Sequence, residues 1–396
     1  MEDKIVYLDN AATTKIHDAV VEEMFDIYRN EYGNPSSVYD FGNRVKTMIE
    51  NARKSIADNL GVDSKEIFFT SGATEADNWA VLGAARKLRH KGNHIITSTI
   101  EHHAVLYSAK QLENEGFEVT YVSVSEDGIL DLDEFKNSVR ADTILISIMA
   151  VNNEIGTIQP IKEIVEFVKD KDILVHTDAV QLIGKKKINI KELGVDMLSL
   201  SGHKIHGPKG IGALYIRKGV QIQNLIFGGG QERKKRPGTE NVVGIIALAK
   251  ALELTLNNIE EKEKQILELR EYYIDKVLET IPYVKLNGSR DKRIPGNANF
   301  SFNFIEGESM LLALDMYGIC ASSGSACTSG SLDPSHVLLG IGLPHETAHG
   351  SLRVSISEYN NKEEIDYLLE VLPGIIKNLR NMSPLYEDFL KNKGVN

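Results

Sequence analysis

Short apolar runs alternate with helical stretches between about residue 65 and residue 216, and this alternation restricts the fold more than any other feature of the chain. The apolar runs predict strands, and the longer periodic stretches predict helices such as 73–88 and 161–169. This order is typical of an α/β fold, in which helices cover both faces of a largely parallel sheet. Ligands bind such sheets at the carboxyl ends of the strands. The predicted strands are 66–70, 94–98, 118–123, 143–148, 173–177, 197–200 and 212–216.

The pattern of the sequence changes beyond the predicted sheet. A charged helical stretch at 242–280 comes first, and strands at 297–303 and 351–357 then surround a helix at 309–317. This second pattern is typical of a smaller α+β domain. Because 396 residues exceed the length that one core usually serves, we expect two domains. The predicted large domain is 15–258, and the predicted small domain comprises 1–14 and 259–396.

The composition excludes several classes of protein. The formal net charge of −11 argues against broad nucleic-acid binding. The first residues lack the basic and apolar segments of a secretory signal, and no run of about 18 apolar residues predicts a membrane span. The only cysteines, Cys320 and Cys327, match no zinc or redox spacing and make no disulfide framework. We therefore expect a protein of the reducing cytoplasm with no structural metal.

Two polar motifs follow predicted strands and could carry chemistry. Lys204 lies in a glycine-rich, histidine-rich segment directly after strand 197–200, and lysine is the residue that forms Schiff bases with pyridoxal phosphate. Asp178 ends another strand, where a carboxylate could keep a pyridine nitrogen protonated, and Gln181 follows three residues later. A solvated lysine and a helix-capping aspartate are the ordinary alternatives, and each motif alone leaves them open.

Two further motifs fall at the same predicted edge of the sheet. Residues 70–75 form a turn of small and hydroxylated residues before a helix, which suits phosphate binding but also describes an ordinary capping box. His102 and His103 follow strand 94–98, where an imidazole could stack on a flat cofactor and move protons. Adjacent histidines could instead bind a metal or face solvent, although no further Cys/His cluster supports a metal.

One cysteine in the C-terminal third of the chain has unusual neighbours in the sequence. Cys327 lies within a Gly/Ser-rich stretch at 322–331, although cysteine is usually among the most buried residue types. This setting indicates a reactive thiol. Cys320 follows an apolar helix and is interpreted as a core residue. Arg353, on a predicted strand, could hold a carboxylate in a two-pronged fork, or it could form a structural ion pair.

Taken in order, these motifs resemble the NifS/IscS family of cysteine desulfurases, and the resemblance covers nearly the whole chain. Each motif alone is weak to moderate evidence for the family, but about eight of them in the right order make the probability of agreement by chance very small. One departure is Tyr39, where the family commonly has a histidine. The matching segments are 7–14, 33–37, 73–76, 101–105, 152–156, 176–181, 201–210, 322–331, 334–338 and 351–353.

The resemblance implies a pyridoxal 5′-phosphate enzyme of transferase fold type I that converts L-cysteine to L-alanine. In that family Lys204 would form the Schiff base, Cys327 would take the sulfur as a persulfide, and His102 would stack on the ring as an acid/base partner. The substrate carboxylate would be fixed by Asn153 and Arg353. The implied cofactor-binding residues are Ala73, Thr74, His102, Asn153, Asp178, Gln181, Ser201, Gly202, His203, Lys204 and Thr239.

The resemblance also implies partners. Thr239 is similar to a residue that the neighbouring subunit contributes, which implies a homodimer. A sulfur acceptor protein, such as an iron–sulfur scaffold, would receive the sulfur for cluster assembly, other thio-cofactors or tRNA thiolation. Another enzyme of the same fold, such as an aminotransferase or a selenocysteine lyase, is the nearest alternative. A non-catalytic assembly scaffold and a dinucleotide-binding oxidoreductase are more distant, since no G-x-G-x-x-G follows a strand.

Overall fold

The computed structural model describes residues 5–323 and 334–393 and contains an α/β sheet region and a smaller sheet. The strands are β1 Val6–Tyr7, β2 Ile67–Thr70, β3 His94–Ser98, β4 Glu118–Val122, β5 Thr143–Ser147, β6 Leu174–Asp178, β7 Met197–Ser201, β8 Gly212–Ile216, β9 Val284–Leu286, β10 Asn297–Phe302, β11 Ile319–Cys320 and β12 Ser351–Ser355. The helices are α1 Asp18–Asn30, α2 Asp40–Leu60, α3 Ala73–Leu88, α4 His103–Asn114, α5 Leu132–Ser138, α6 Ile161–Val168, α7 Ile190–Leu193, α8 Gln231–Lys234, α9 Val242–Leu256, α10 Ile259–Thr280, α11 Gly307–Asp315, α12 His336–Gly340, α13 His345–His349, α14 Lys362–Asn381 and α15 Pro384–Lys393.

The main sheet has seven strands in the order β2-β8-β7-β6-β5-β3-β4. The strands from β7 to β4 run parallel, whereas β8 is antiparallel to both β2 and β7. The direction of β8 has a simple cause. Only residues 202–211 separate it from β7, and so short a link joins antiparallel neighbours, because a parallel neighbour needs a longer crossover. The prediction of a mostly parallel, helix-covered sheet is therefore confirmed.

The outer boundaries of the predicted strands and helices lie within two residues of the observed ones. Strand β6 ends one residue later than predicted, which places Asp178 in the strand itself. The predicted helical stretch at 242–280 is divided into α9 and α10 at Asn258, whose φ of 53° is left-handed. Asn241 caps α9 by accepting the Gly244 N–H at 3.0 Å.

Buried side chains form separate cores on the two sheets. The main sheet is covered on one face by a core that includes Ile56, Ile146 and Leu248, and on the other by a core around Trp79 of α3. The smaller sheet, in the order β12-β10-β9, packs with α10, α11 and α14 around Tyr273 and Phe300. The N-terminal β1 pairs with β11 and contributes to the core of the smaller sheet. The division into domains at residues 14–15 and 258–259 stays a prediction.

In the part of the chain that the structure describes, no single helix is long and apolar enough to cross a bilayer. Helices α9 and α10 pass such a test only together, by length and composition, and they are bent by 70° at their junction. Ten of the residues of α9 are buried, including Ile245 and Leu248, as expected for a core helix of this length and composition.

Candidate active site

A cavity of about 640 Å³ opens where β2, β3, β5, β6 and β7 end, at the carboxyl edge of the parallel strands. Polar side chains therefore converge at the edge of the sheet where the sequence predicts ligand binding. The cavity is lined by Ala11, Ala12, Thr13, Ser71, Gly72, Ala73, Thr74, Glu75, Asp77, His102, Met149, Val151, Asn153, Asp178, Val180, Gln181, Ser201, His203, Lys204, Lys209, Gly210, Ser322 and Arg353.

Lys204 reaches this cavity from the segment after β7. A short 3₁₀ turn at Gly202–Lys204 follows the strand directly. Its first residue must be small, because a Cβ on Gly202 would lie 2.9 Å from the carbonyl oxygen of Pro208. The Lys204 Nζ donates to the carbonyl oxygens of Ala11 at 2.6 Å and Ala12 at 2.7 Å. The N-terminal segment thus holds the amine at the cavity wall.

Asp178 supplies a buried carboxylate at the floor of the cavity. Its Oδ1 accepts the Val180 N–H at 2.9 Å within a turn, and no helix begins there, so the alternative of a helix-capping aspartate is wrong. Burial raises the pKa of Asp178 to about 6, although the Val180 N–H and Lys204 oppose this rise. Gln181 donates from Nε2 to the Ala11 carbonyl oxygen at 3.0 Å and so lies on the same wall as Lys204.

A second buried carboxyl, that of Asp77, was missed by sequence reasoning. It lies in α3 and lines the cavity, and only 1% of its surface is exposed. Burial first, and then the nearby charge of Asp178, raise its pKa well above the ordinary value. His176 Nε2 lies 3.6 Å from Asp77 Oδ1, and burial lowers the pKa of His176 to about 3. The helical spacing offered a signal, because Asp77 follows Thr74 by three residues and so faces the same side of α3.

The turn between β2 and α3 forms one end of the cavity. Gly72 precedes the first residue of α3, and no described side chain caps this helix. A Cβ on Gly72 would meet open space, so a ligand can approach the backbone there. Thr74 lies in the first turn, and Ser201 and His203 face it from the end of β7. Backbone N–H groups at a helix N-terminus together with hydroxyls form the ordinary surroundings of a phosphate.

His102 precedes α4 and lines the cavity between the strands. Its Nδ1 accepts the Ala104 N–H at 3.1 Å, so in the neutral ring the proton is on Nε2. Burial, and then the charges of Lys204 and His103, lower the pKa of His102 to about 4. The neighbouring Glu101 is fully buried, its carboxylate accepts the Met149 N–H, and burial raises its pKa to about 8. This contact fixes the backbone that presents His102.

Arg353 reaches the cavity from the smaller sheet. Its Nη1 donates to the carbonyl oxygen of Asn153 at 3.1 Å, and its Nη2 pairs with Asp9 at 2.9 Å. Asn152 shapes the loop that carries Asn153, because its side-chain oxygen accepts the N–H groups of the two residues after Asn153. Among the described residues, the buried Nε of Arg353 has no hydrogen-bond partner. The side chain therefore combines a structural ion pair with a donor left for a ligand.

Three predicted site residues lie apart from this set. Cys327 is outside the described residues. Thr239 is exposed and does not line the cavity of its own chain. Gly202 is buried behind the wall, where it permits close backbone packing. Cys320, which the sequence predicts to be a core residue, is partly exposed. Its partial burial, and to a lesser extent the nearby carboxylates, raise the pKa of its thiol.

The described residues fit pyridoxal phosphate better than a metal ion. The cavity holds a lysine amine, a buried carboxylate and a phosphate-type turn at separate walls, which match the aldehyde, the pyridine nitrogen and the phosphate of that cofactor. By contrast, residues 5–323 and 334–393 contain no group of three or more His, Cys, Asp or Glu side chains that could hold a metal ion.

Comparisons with known proteins agree with this geometry. The profile of class-V aminotransferases matches residues 6–368, and enzymes of this family use pyridoxal phosphate. The chain is 56% identical to the cysteine desulfurase IscS of Clostridium botulinum over 392 residues, which cover 98% of this chain and 99% of that protein.

Solved structures give the same result. A NifS-like protein superposes with a TM-score of 0.90 at 42% identity and covers 95% of this chain and 100% of its own. A structure of SspA in complex with cysteine has a TM-score of 0.80 at 36% identity and covers 90% of this chain and 99% of its own. The chain therefore belongs to the class-V aminotransferase family and, within that family, to the cysteine desulfurases.

Proposed function

We propose that this chain is a pyridoxal-phosphate-dependent cysteine desulfurase, which converts L-cysteine to L-alanine and leaves the sulfur as a persulfide on Cys327. The observation that carries the proposal is one cavity that joins Lys204, Asp178 and Arg353 from distant parts of the chain. Family membership and the cysteine-bound neighbouring structure support the choice of substrate.

The residues of the cavity would hold the cofactor at four points. Lys204 would bind it covalently, Asp178 would face the pyridine nitrogen with Gln181 beside it, and His102 would stack on the ring. The phosphate would lie at the turn that carries Ala73 and Thr74, with Ser201 and His203 facing it from the end of β7. When bound, pyridoxal phosphate supplies an electron sink that stabilises negative charge on the carbon next to the substrate amine.

The protein side chains would then bind the substrate and move its protons. Arg353 and Asn153 orient L-cysteine by its carboxylate, which leaves the α-carbon near the Lys204 amine. That amine takes the α-proton as a general base once it is free of the cofactor. His102 is neutral at physiological pH because its pKa is about 4, and its Nδ1 accepts the Ala104 N–H, so the Nε2 proton is the one that it would donate as the acid partner.

The sulfur step would be carried by Cys327. Its thiolate attacks the sulfur of the substrate, so that a sulfur–sulfur bond forms while the carbon–sulfur bond breaks. The carbon that loses sulfur takes up a proton and leaves as the methyl group of alanine. The substrate sulfur thus stays on the enzyme as a persulfide, and no external oxidant or reductant is needed.

A homodimer is part of this proposal. Helix α1 exposes Phe25 and Tyr28, each to 66%, on one face, and Tyr32 follows at 81%. Phe227, at 79%, lies in the segment that leads to Thr239. Large exposed aromatic side chains of this kind are typical of surfaces that a partner covers. A second copy on this surface would bring Thr239 of each subunit towards the phosphate of the other.

The destination of the sulfur is a further part of the proposal. A sulfur acceptor protein would take the sulfur from Cys327 in the cytoplasm for iron–sulfur cluster assembly, other thio-cofactors or tRNA thiolation. Trapping the persulfide and capturing the protein that removes it would identify the acceptor. A transfer that proceeds equally well without Cys327 would contradict this role.

The activity is tested with purified holoenzyme and L-cysteine, with alanine and sulfide measured in the presence of a reducing thiol. We expect equal amounts of the two products. Cys327→Ala should retain bound cofactor but lose sulfide release, whereas Cys320→Ala, the matched control, should keep both. Formation of pyruvate with transfer of nitrogen would instead indicate an aminotransferase, and a colourless protein that binds no cofactor would indicate a non-catalytic scaffold.

A further inference from the structure

The exposed Thr239 lies in a segment that is fixed on both sides, and the segment formed by residues 228–241 is called the strap here. Gln231 Oε1 accepts the Gly238 N–H at 3.1 Å, which closes the strap into a compact turn. Asn241, at its end, caps α9. Thr239 is therefore exposed without being loosely attached.

A buried ion pair anchors the first half of the strap. The Glu232 carboxylate accepts hydrogen bonds from both terminal nitrogens of Arg53, at 2.6 and 2.8 Å. The side chain of Glu232 is 4% exposed and that of Arg53 is 3% exposed. Glu232 also accepts the Phe69 N–H of β2 at 2.9 Å. Three successive non-glycine residues of the strap, from Glu232 to Lys234, have left-handed φ values of 44°, 56° and 65°. Such a backbone persists only where the surroundings enforce it.

A second ion pair ties the strap to the candidate phosphate turn of the same chain. Arg236 donates from Nε and Nη2 to the two oxygens of Glu75, at 2.8 and 3.0 Å. Glu75 lies in the first turn of α3 and also accepts the Ser71 N–H at 2.7 Å. The carboxylate thus bridges the turn that would hold a phosphate and the residue three positions before Thr239. Two-pronged pairs of this kind fix orientation as well as distance.

We propose that the Glu75–Arg236 pair is a positioning contact that acts across subunits: it holds Thr239 in place for the phosphate group bound by the neighbouring subunit. This inference rests on the proposed function, because it needs the homodimer and the bound cofactor. Thr239 is absent from the cavity of its own chain, so the pair that holds it serves the other site. The phosphate turn of one subunit is thereby connected to the phosphate contact of its partner.

The test uses Glu75→Gln together with Arg236→Gln, which removes the ion pair without changing the net charge. Mixed dimers carry Lys204→Ala in one subunit, so that only the other subunit can bind the cofactor covalently. In the trans dimer, the double change and Lys204→Ala share one subunit. In the cis dimer, they are in different subunits. Lys54→Gln with Asp58→Asn, which removes an exposed ion pair of α2, is the matched control in both dimers.

The measured quantity is the dissociation constant of pyridoxal phosphate from the apoenzyme, followed by the visible absorbance of the one covalent site. We expect a roughly tenfold weaker binding in the trans dimer, the scale of one lost hydrogen bond to a charged group. The cis dimer should bind the cofactor within about twofold of its control. Adding Thr239→Ala to the double-change subunit of the trans dimer should weaken binding no further, because both changes remove the same contact.

Two results would overturn the inference. Binding in the trans dimer could equal that of the control, or the loss could appear only in the cis dimer. In both cases the dimer and its cofactor would still be present, so the proposed function would stand. If the unaltered mixed dimer fails to form or binds no cofactor, the proposed function itself fails.

Discussion

Replacing Arg353 by lysine should weaken the binding of L-cysteine and leave the chemical step nearly unchanged. Two of its nitrogens are already engaged, with Asn153 and Asp9, and the buried Nε is the donor without a partner among the described residues. Lysine keeps the positive charge but has no donor at the position of Nε. The change therefore removes a directed hydrogen bond to the substrate carboxylate and retains much of the attraction.

The magnitude follows from that single contact. A hydrogen bond to a charged partner contributes about 1.5–3 kcal/mol, which corresponds to a rise in KM of about 10- to 150-fold. The substrate carboxylate keeps its charge throughout the reaction, so the contact is made equally before and during catalysis. Loss of such uniform binding raises KM with little change in kcat.

The assay compares L-cysteine with cysteamine, which has the amine and the thiol but no carboxylate. Initial rates of sulfide release give kcat and KM for L-cysteine, and competition by cysteamine gives its affinity. The affinity for cysteamine should be the same in Arg353→Lys and in the unaltered enzyme, and the bound cofactor should be unchanged. A KM for L-cysteine that rises less than about threefold would falsify the assignment. An equal loss of affinity for cysteamine would do the same.

Three further outcomes are expected. Lys204→Ala should carry no covalent cofactor after borohydride reduction, as measured by mass spectrometry, and a reduced adduct at another lysine would contradict the assignment. Glu232→Gln should lower the free energy of unfolding by about 3 kcal/mol in urea, because it leaves the buried Arg53 charge short of its partner; Asp58→Asn, in an exposed pair, should cost less than about 1 kcal/mol. Burial lowers the pKa of His176 from its ordinary 6.5 to about 3, so the unfolded chain binds this proton first and the protein loses stability as the pH falls below 6.5. Relative to His176→Gln, the unaltered protein should therefore lose up to about 2 kcal/mol between pH 6.5 and pH 5, and parallel pH profiles would contradict this explanation.

Part of the candidate site could be predicted because its signals are local. Lys204 and Asp178 follow or end apolar runs, and the carboxyl ends of parallel strands meet at one edge of a sheet. The candidate phosphate turn is also local, since Thr74 lies in the first turn of a helix that closely follows a strand. For these residues, strand and helix periodicity places the side chains within one or two residues.

Other parts of the site depend on contacts between residues distant in the chain. Asp77 looked like one more acidic residue on a helix, and only its burial beside Asp178 raises its pKa. No local pattern indicates that Asp9 and Asn153 hold Arg353, because 344 and 200 residues separate them from it. Charge and pKa follow from solvent exposure and neighbours, which the fold alone establishes.

The amino-acid sequence by itself determined the α/β class and the order of the strands along the chain, and it supplied the candidate reactive groups, because these depend on periodicity and residue type. Only the tertiary structure decided which groups share a cavity, how burial sets their protonation, and that the strap with Thr239 is tied to the candidate phosphate turn through Glu75 and Arg236. The physical reason is the distance along the chain over which each interaction acts. Backbone periodicity acts over a few residues, whereas hydrogen bonding, desolvation and Coulomb forces act on whatever side chains the fold brings together.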